Sequence, residues 1–261
     1  MIVVKTYPTP SVKYRETVCT AGISDAGKWI RMYPLPYRFM PRVLQFHKYQ
    51  YIEVKLKRST TDRRQESYRP DVSSIRSLGP PLPTDNGWEQ RRRVVDRMPV
   101  HTLSELRHLY DREKVSLGII HPSEVLDVEI APAEESTSAG YRLLLRQQSI
   151  FYPEQEPLKR ILYRFRYVFR CEDCDEPHRL TITDWELGAL YHGEVARLGN
   201  EEKAASSVRD KYLHELCAAD RDTKFYVGTY YPYNTWLILG VFWPPHVRHR
   251  QKSILHESAV N

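Results

Sequence analysis

The residues best suited to chemistry gather in the second half of the chain. Cys171-Glu172-Asp173-Cys174 is a C-x-x-C knuckle, His178 follows it, and His214-Glu215-Leu216-Cys217 is an H-x-x-C pair. A knuckle offers two thiolates from one turn, and an i,i+3 pair offers two more ligands from one helix face. Cys171, Cys174, His214 and Cys217 are therefore expected to form a closed tetrahedral zinc site of structural type, with His178 as an alternative ligand. The plainer reading makes Cys217 a core thiol and leaves the histidines to packing. A thioredoxin-like redox pair is disfavoured, because this knuckle follows a strand and does not open a helix.

Thr183-Asp184-Trp185-Glu186 sets two acids close to the knuckle. Magnesium-dependent nucleases hold their ions between carboxylates and phosphate. Asp184 and Glu186, with His178, are thus the candidate catalytic residues. The same four residues also read as a T-x-x-E capping box opening a helix, where acids suit the helix dipole. Capping is the simpler account. Glu53-Val54-Lys55 has the E-x-K spacing of a restriction-type nuclease core, but its upstream acid would be Asp25, in a turn. A solvated strand face explains Glu53 better, and Asp127 and Glu129 likewise. Cys19 has no sequence neighbour that activates it. The chain has no Walker A loop, no G-x-G-x-x-G, no G-x-S-x-G and no H-E-x-x-H.

Charge points to a partner more than to a reaction. The net charge is +6, and 27 of the 39 basic residues are arginine. Arginine forks match phosphate and base edges, and the 18 tyrosines can supply stacking platforms. Nucleic acid is the expected partner. The most ordered signal is Tyr163–Arg170. In a strand, Tyr163, Phe165, Tyr167 and Phe169 face the core, leaving Arg164, Arg166 and Arg170 as a stripe on the other side. That stripe, with Arg91, Arg92 and Arg93, is the candidate nucleic-acid surface; a solvated outer face is the plainer reading. Arg63-Arg64 is a further basic run, and His246, Arg248, His249, Arg250 and Lys252 make a basic tail.

The elements that must position these groups are short strands and helices. Strands are expected at Ile2–Tyr7, Glu16–Ile23, Lys28–Tyr33 and Tyr51–Lys57, with Ser24-Asp25-Ala26-Gly27 as a hairpin turn. Thr60–Pro83 reads as a loop. Trp88–Met98 and Thr102–Lys114 read as helices, the second with a Thr102/Glu105 capping box. Strands follow at Ser116–Ile120, Val125–Ile130 and Tyr141–Arg146, and residues 160–183 form a hairpin with the cysteines at its tip. Helices at Asp184–Leu198 and Glu201–Cys217 precede a closing strand pair, Lys224–Tyr230 and Thr235–Phe242. This mixture lacks strict βαβ alternation, so the fold class is α+β.

Polar, proline-containing residues 147–157 suggest a division into residues 1–150, β-rich with two helices, and residues 151–245, α+β with the knuckle. Residues 246–261 are a basic tail. The 261 residues contain no apolar run long enough for a transmembrane helix, and the start lacks a signal-peptide h-region. Four cysteines are no disulfide framework. A soluble, cytoplasmic protein with no membrane partner is expected.

Glu16–Ile23, Trp29–Pro34, Phe169-Arg170-Cys171, Asp184–Gly188, Phe225–Gly228 and Trp236–Pro244 together resemble a recurring pattern in uncharacterised prokaryotic proteins. That resemblance implies a bacterial or archaeal origin and transfers no catalytic residue. The closing F-Y-V-G and W-L-I-L-G segments look like the small β-barrel readers of modified bases (PUA, ASCH and EVE types). Three functions remain open. The first is nucleic-acid binding through the arginine face, reading or processing DNA or RNA. The second is a metal-dependent nuclease or base-processing enzyme. The third is a small-molecule or protein-interaction domain lined by Tyr226, Tyr230, Tyr231, Tyr233, Trp236 and Trp243.

Overall fold

The structure is a computed structural model that describes residues 1–11, 15–133, 158–230 and 234–246. Ile2–Lys5 (β1), Thr9–Ser11 (β2), Arg15–Ile23 (β3) and Trp29–Leu35 (β4) pair antiparallel, β3 lying between β1 and β4 and also carrying β2. The β3–β4 turn falls where expected: Gly27 takes φ +67°, which glycine adopts without a Cβ clash. Tyr51–Lys57 is not one strand. Ile52–Glu53 (β5) and Leu56–Arg58 (β6) enter different sheets. The period-two burial survives the break, with Ile52, Val54 and Leu56 half-buried and Glu53, Lys55 and Lys57 exposed.

Thr60–Pro83 also departs from expectation. It supplies Ser67–Pro70 (β7), which runs parallel to β4 and antiparallel to β6, and Arg76–Ser77 (β8), which pairs β5. A helix over Asp85–Val95 (α1), a short strand at Val100–His101 (β9) and a helix over Leu103–Glu113 (α2) follow. The α2 capping box forms as expected: Glu105 N donates to Thr102 Oγ1 at 3.2 Å, and Thr102 N to Glu105 Oε2 at 2.9 Å. Leu103 and Leu106 then point into the core.

Leu117–Ile120 (β10) and Glu124–Pro132 (β11) match the next two expected strands. The expected strand Tyr141–Arg146, the boundary at 147–157, Tyr231, Tyr233 and the tail beyond His246 lie outside the described residues. Tyr163–Cys171 (β12) and Cys174–Thr181 (β13) form the cysteine-tipped hairpin, and β12 also pairs β11. Trp185–Leu198 (α3) and Glu201–Asp210 (α4) pack together, and a π-helical turn over Lys211–Glu215 extends α4. Lys224–Tyr230 (β14) and Thr235–Phe242 (β15) close a sheet in the order β15-β14-β10-β9.

The class is α+β: among the described strands, β4–β7 and β9–β10 pair in parallel and the other pairs are antiparallel. One core lies between the β12 and β14–β15 strands and helices α2 to α4; it buries Phe165, Tyr167, Phe169, Leu187, Tyr191 and Phe225. A second joins Met1, Val3 and Val4 to Leu117, Ile119, Tyr226 and Phe242. Each such buried apolar side chain stabilises the fold by about 1.5–3 kcal/mol. Among the described residues, no helix is long and apolar enough to cross a membrane.

Candidate functional site

The site starts at a loop that no local pattern specifies. Phe46–Gln50 is pinned to β1 by Tyr49 N to Ile2 O (2.6 Å) and Ile2 N to Gln50 O (2.9 Å). Gln50 Nε2 bonds Gly79 O at 2.7 Å. Tyr49 accepts φ +61° in this turn, a left-handed conformation that L side chains rarely take. The result drives Lys48 inward. Its Nζ donates to both carboxylate oxygens of Asp184 at 3.2 Å, and to Glu186.

Asp184 is held from the other side by α3. It is the N-cap, accepting from Glu186 N at 3.4 Å. The expected Thr183 cap is thus shifted by one residue, because Thr183 Oγ1 instead donates to Ile238 O across the strand seam. Asp184 is 3% exposed, whereas the Glu186 side chain is 52% exposed. Lys5, at the end of β1, places its Nζ 4.4 Å from the ring centres of both Tyr37 and Trp185. Such cation–π contacts hold an ammonium without a carboxylate.

Burial pushes the Asp184 carboxyl well above the usual range, against the pull of Lys48. Burial also opposes the Lys48 charge, but Asp184 and Glu186 outweigh it and hold the ammonium above its ordinary value. Glu186 stays below its ordinary value because Lys48 overcomes the burial effect. Burial pulls Lys5 down to about 8, with Glu186 opposing.

These groups line a cavity of about 710 Å³. Trp88, Trp185, Trp243 and Tyr49 form much of its wall. The Arg91 guanidinium lies 4.1 Å from the Tyr49 ring centre and 4.8 Å from that of Trp88. Its Nε and Nη2 donate to Leu82 O at 2.8 and 2.6 Å. Among the described lining residues the cations are Lys5, Lys48, Arg91 and Arg221 and the carboxylates Asp184 and Glu186; Arg221 pairs outside the lining with Asp220 at 3.4 Å. Backbone strain collects here too: Trp88 sits at φ +63° after Asn86 and Gly87, also left-handed. Each such non-glycine residue costs about 1–3 kcal/mol, and these costs concentrate at functional sites.

Of the residues singled out by sequence, Arg91, Asp184 and Glu186 come together in this cavity. His178 does not; it stands opposite Phe169 in the β12–β13 register, with its ring 5.5 Å from the Phe169 ring. Arg92 is bonded to Asp222, Asp96 and Pro245 O, and Arg93 to Glu89. The β12 stripe is interleaved with acids from β11. Arg166 lies 3.9 Å from Glu129, and Arg170 bonds Glu124 and, at 2.9 Å, Asp175 O. Arg164 is half-buried. Two of the three stripe arginines, Arg166 and Arg170, are therefore in cross-strand ion pairs.

The four expected zinc ligands are not gathered. Cys171 is buried in the core, and Cys174 Sγ donates to Glu176 O at 3.5 Å. Cys217 Sγ bonds Tyr167 Oη at 3.6 Å, while His214 points to solvent. The i,i+3 argument assumed an α-helix; His214 lies inside a π-helical turn over Lys211–Glu215 and Cys217 beyond it, so α-helical spacing does not apply to the pair. Among the described residues, no three His, Cys, Asp or Glu side chains come within reach of one metal ion. Of the third reading's rings, Tyr226 and Trp236 are core, Trp243 lines the cavity and Tyr230 is half-exposed elsewhere. Lys5 and Lys48, which complete the site, carry no signal in the sequence beyond being lysines.

Residues 99–259 match a family described as a domain of unknown function (DUF8757). The chain belongs to that family. Residues 1–97 match a second domain of unknown function (DUF8758). The two matches meet between α1 and β9, and the cavity draws Lys5, Lys48 and Arg91 from the 1–97 segment and Asp184, Trp185 and Glu186 from the 99–259 segment. No curated protein and no solved structure matches the chain.

Proposed function

We propose that the protein binds nucleic acid and takes one unstacked nucleotide into the cavity between Trp88, Trp185 and Trp243. The observation that carries this is the pairing of cations with aromatic rings along one concave surface: Arg91 on Tyr49 and Trp88, Lys5 on Trp185. Rings stack on any base, and cations meet the phosphate that follows it. The likeness of the closing strands to modified-base readers points the same way. This reading moves the contact from the expected β12 face to the cavity because Arg166 and Arg170 are already paired with acids and Arg164 is half-buried.

Fluorescence anisotropy with labelled single-stranded DNA and RNA tests the reading. Binding is expected at low salt, weakening as salt rises because phosphate contacts release counterions. Arg91→Ala should weaken it by about ten-fold, in line with the roughly 1–3 kcal/mol of a stacking contact. Absence of binding to either nucleic acid at low salt sinks the proposal.

A second reading rests on Glu186. It is half-exposed and held as a carboxylate by Lys48, and so suits accepting a proton from a water that attacks the bound nucleotide. Release of base or cleavage of strand, abolished in Glu186→Gln with oligonucleotide binding retained, is the outcome that supports processing over reading.

A further inference from the structure

A second cavity, of about 680 Å³, lies against the same strand seam. Thr6 and Thr183 line it, while their chain neighbours Lys5 and Asp184 line the first cavity. Its cations are already engaged. Arg64 Nε and Nη2 bond Asp62 at 2.9 and 2.6 Å, and Nη1 bonds Thr229 O. Arg31, 2% exposed, gives Nη1 to Cys19 Sγ and Nη2 to Ser116, which in turn bonds the Glu66 carboxylate. Arg69 Nη2 reaches Thr61 Oγ1. Among the described residues every guanidinium lining the cavity already has a partner, and the buried N–H left over is Arg31 Nε, a single donor that an uncharged acceptor satisfies.

What the lining does offer is hydroxyl oxygens with capacity to spare, beside apolar Leu237 and Leu239. Thr17 donates to Tyr33 Oη, Ser67 to Asp62 and Thr183 to Ile238 O, so each can still accept. Thr6 Oγ1 accepts from Cys19 N and keeps its own proton to donate. Two rings, Tyr33 and Tyr230, are 43% and 49% exposed. Exposed rings favour a flat partner, and buried hydroxyls favour one with donors and acceptors at its edge. The volume falls within the range of small-molecule sites. We propose that this cavity binds a neutral planar heterocycle of nucleoside type, stacked on Tyr33 or Tyr230 and hydrogen-bonded at its edge by threonine and serine hydroxyls. This site is separate from the oligonucleotide cavity, so the two readings fail independently.

Cys19 lines the cavity and reports on it. The test alkylates full-length protein with N-ethylmaleimide and follows each cysteine by peptide mass spectrometry, with adenosine, guanosine, cytidine or uridine present. At least one nucleoside should slow labelling of Cys19 several-fold and leave Cys174 unchanged. Tyr33→Ala or Tyr230→Ala should weaken that protection about ten-fold without lowering the melting temperature, since both rings are half-exposed. Equilibrium dialysis with the same nucleosides covers a Cys19 that does not react. Absence of saturable one-to-one binding to all four overturns the proposal. So does tighter binding of the 5′-monophosphates than of the nucleosides, or binding that both tyrosine variants leave intact.

Discussion

Lys48 is the residue on which the cavity turns, because two carboxylates depend on one ammonium. Replacing it by methionine leaves Asp184 buried without its cation, and removal of one partner from a buried pair costs about 3–5 kcal/mol. Urea unfolding of Lys48→Met should show a loss of that order, and Lys48→Met combined with Asp184→Asn should recover part of it. Lys5 gives a pH signature of known sign. An unfolded lysine keeps its proton up to its ordinary 10.5, whereas folded Lys5 releases it near 8. Between those values the unfolded chain binds more protons, so stability rises with pH across that window. Lys5→Met should remove that rise when urea midpoints are compared from pH 8 to 10.5; an unchanged slope would falsify the assignment. Asp184 and Glu186 were legible in the sequence as paired acids, and Arg91 as part of a basic run. Lys48 was not. Its direction is set by Ile2 and Gly79 pinning the loop from a distance, and nothing in His47–Gln50 encodes that.

Elements were easiest to read where a local rule decides them. The α2 capping box is one, and Thr102→Ala should lower stability by about 1 kcal/mol in thermal or urea melts. The β3–β4 and β12–β13 hairpins are others, each an alternating run interrupted by turn residues. Harder to read was β7, whose partners are non-local and whose sequence is polar. The π-helical turn after α4 was hidden too, because its apolar spacing at Val208, Tyr212 and Leu216 also suits an α-helix. The packing of α3 on the chain after β1 has its own test. A Cβ at Gly188 would sit 2.1 Å from Tyr7 Cδ2. The Tyr7 ring cannot swing away freely, because its hydroxyl bonds Lys159 O at 2.7 Å and His192 Nε2 at 2.9 Å. Gly188→Ala should therefore destabilise by about 1–3 kcal/mol, the usual cost of overpacking.

The molecule as a whole crosses the line between its two family segments several times. Met1, Val3 and Val4 share a core with Tyr226 and Phe242, the Lys48 ammonium meets Asp184, and Arg31 and Glu66 meet at Ser116. Neither segment closes its interior alone. Unfolding of the full chain should therefore be a single transition, with coincident midpoints by tryptophan fluorescence and far-ultraviolet circular dichroism. Trp29 and Trp88 report from one segment, and Trp185, Trp236 and Trp243 from the other. Two separate midpoints would contradict it. The bridge between Thr6 and Asp184 has a further consequence. It is a party wall: one cavity lies against Thr6 and Thr183, the other against Lys5 and Asp184. Occupants on either side lean on the same few backbone atoms. Any factor by which a nucleoside on one side alters the affinity for a strand on the other is returned unchanged in the opposite direction, because both belong to one closed thermodynamic cycle.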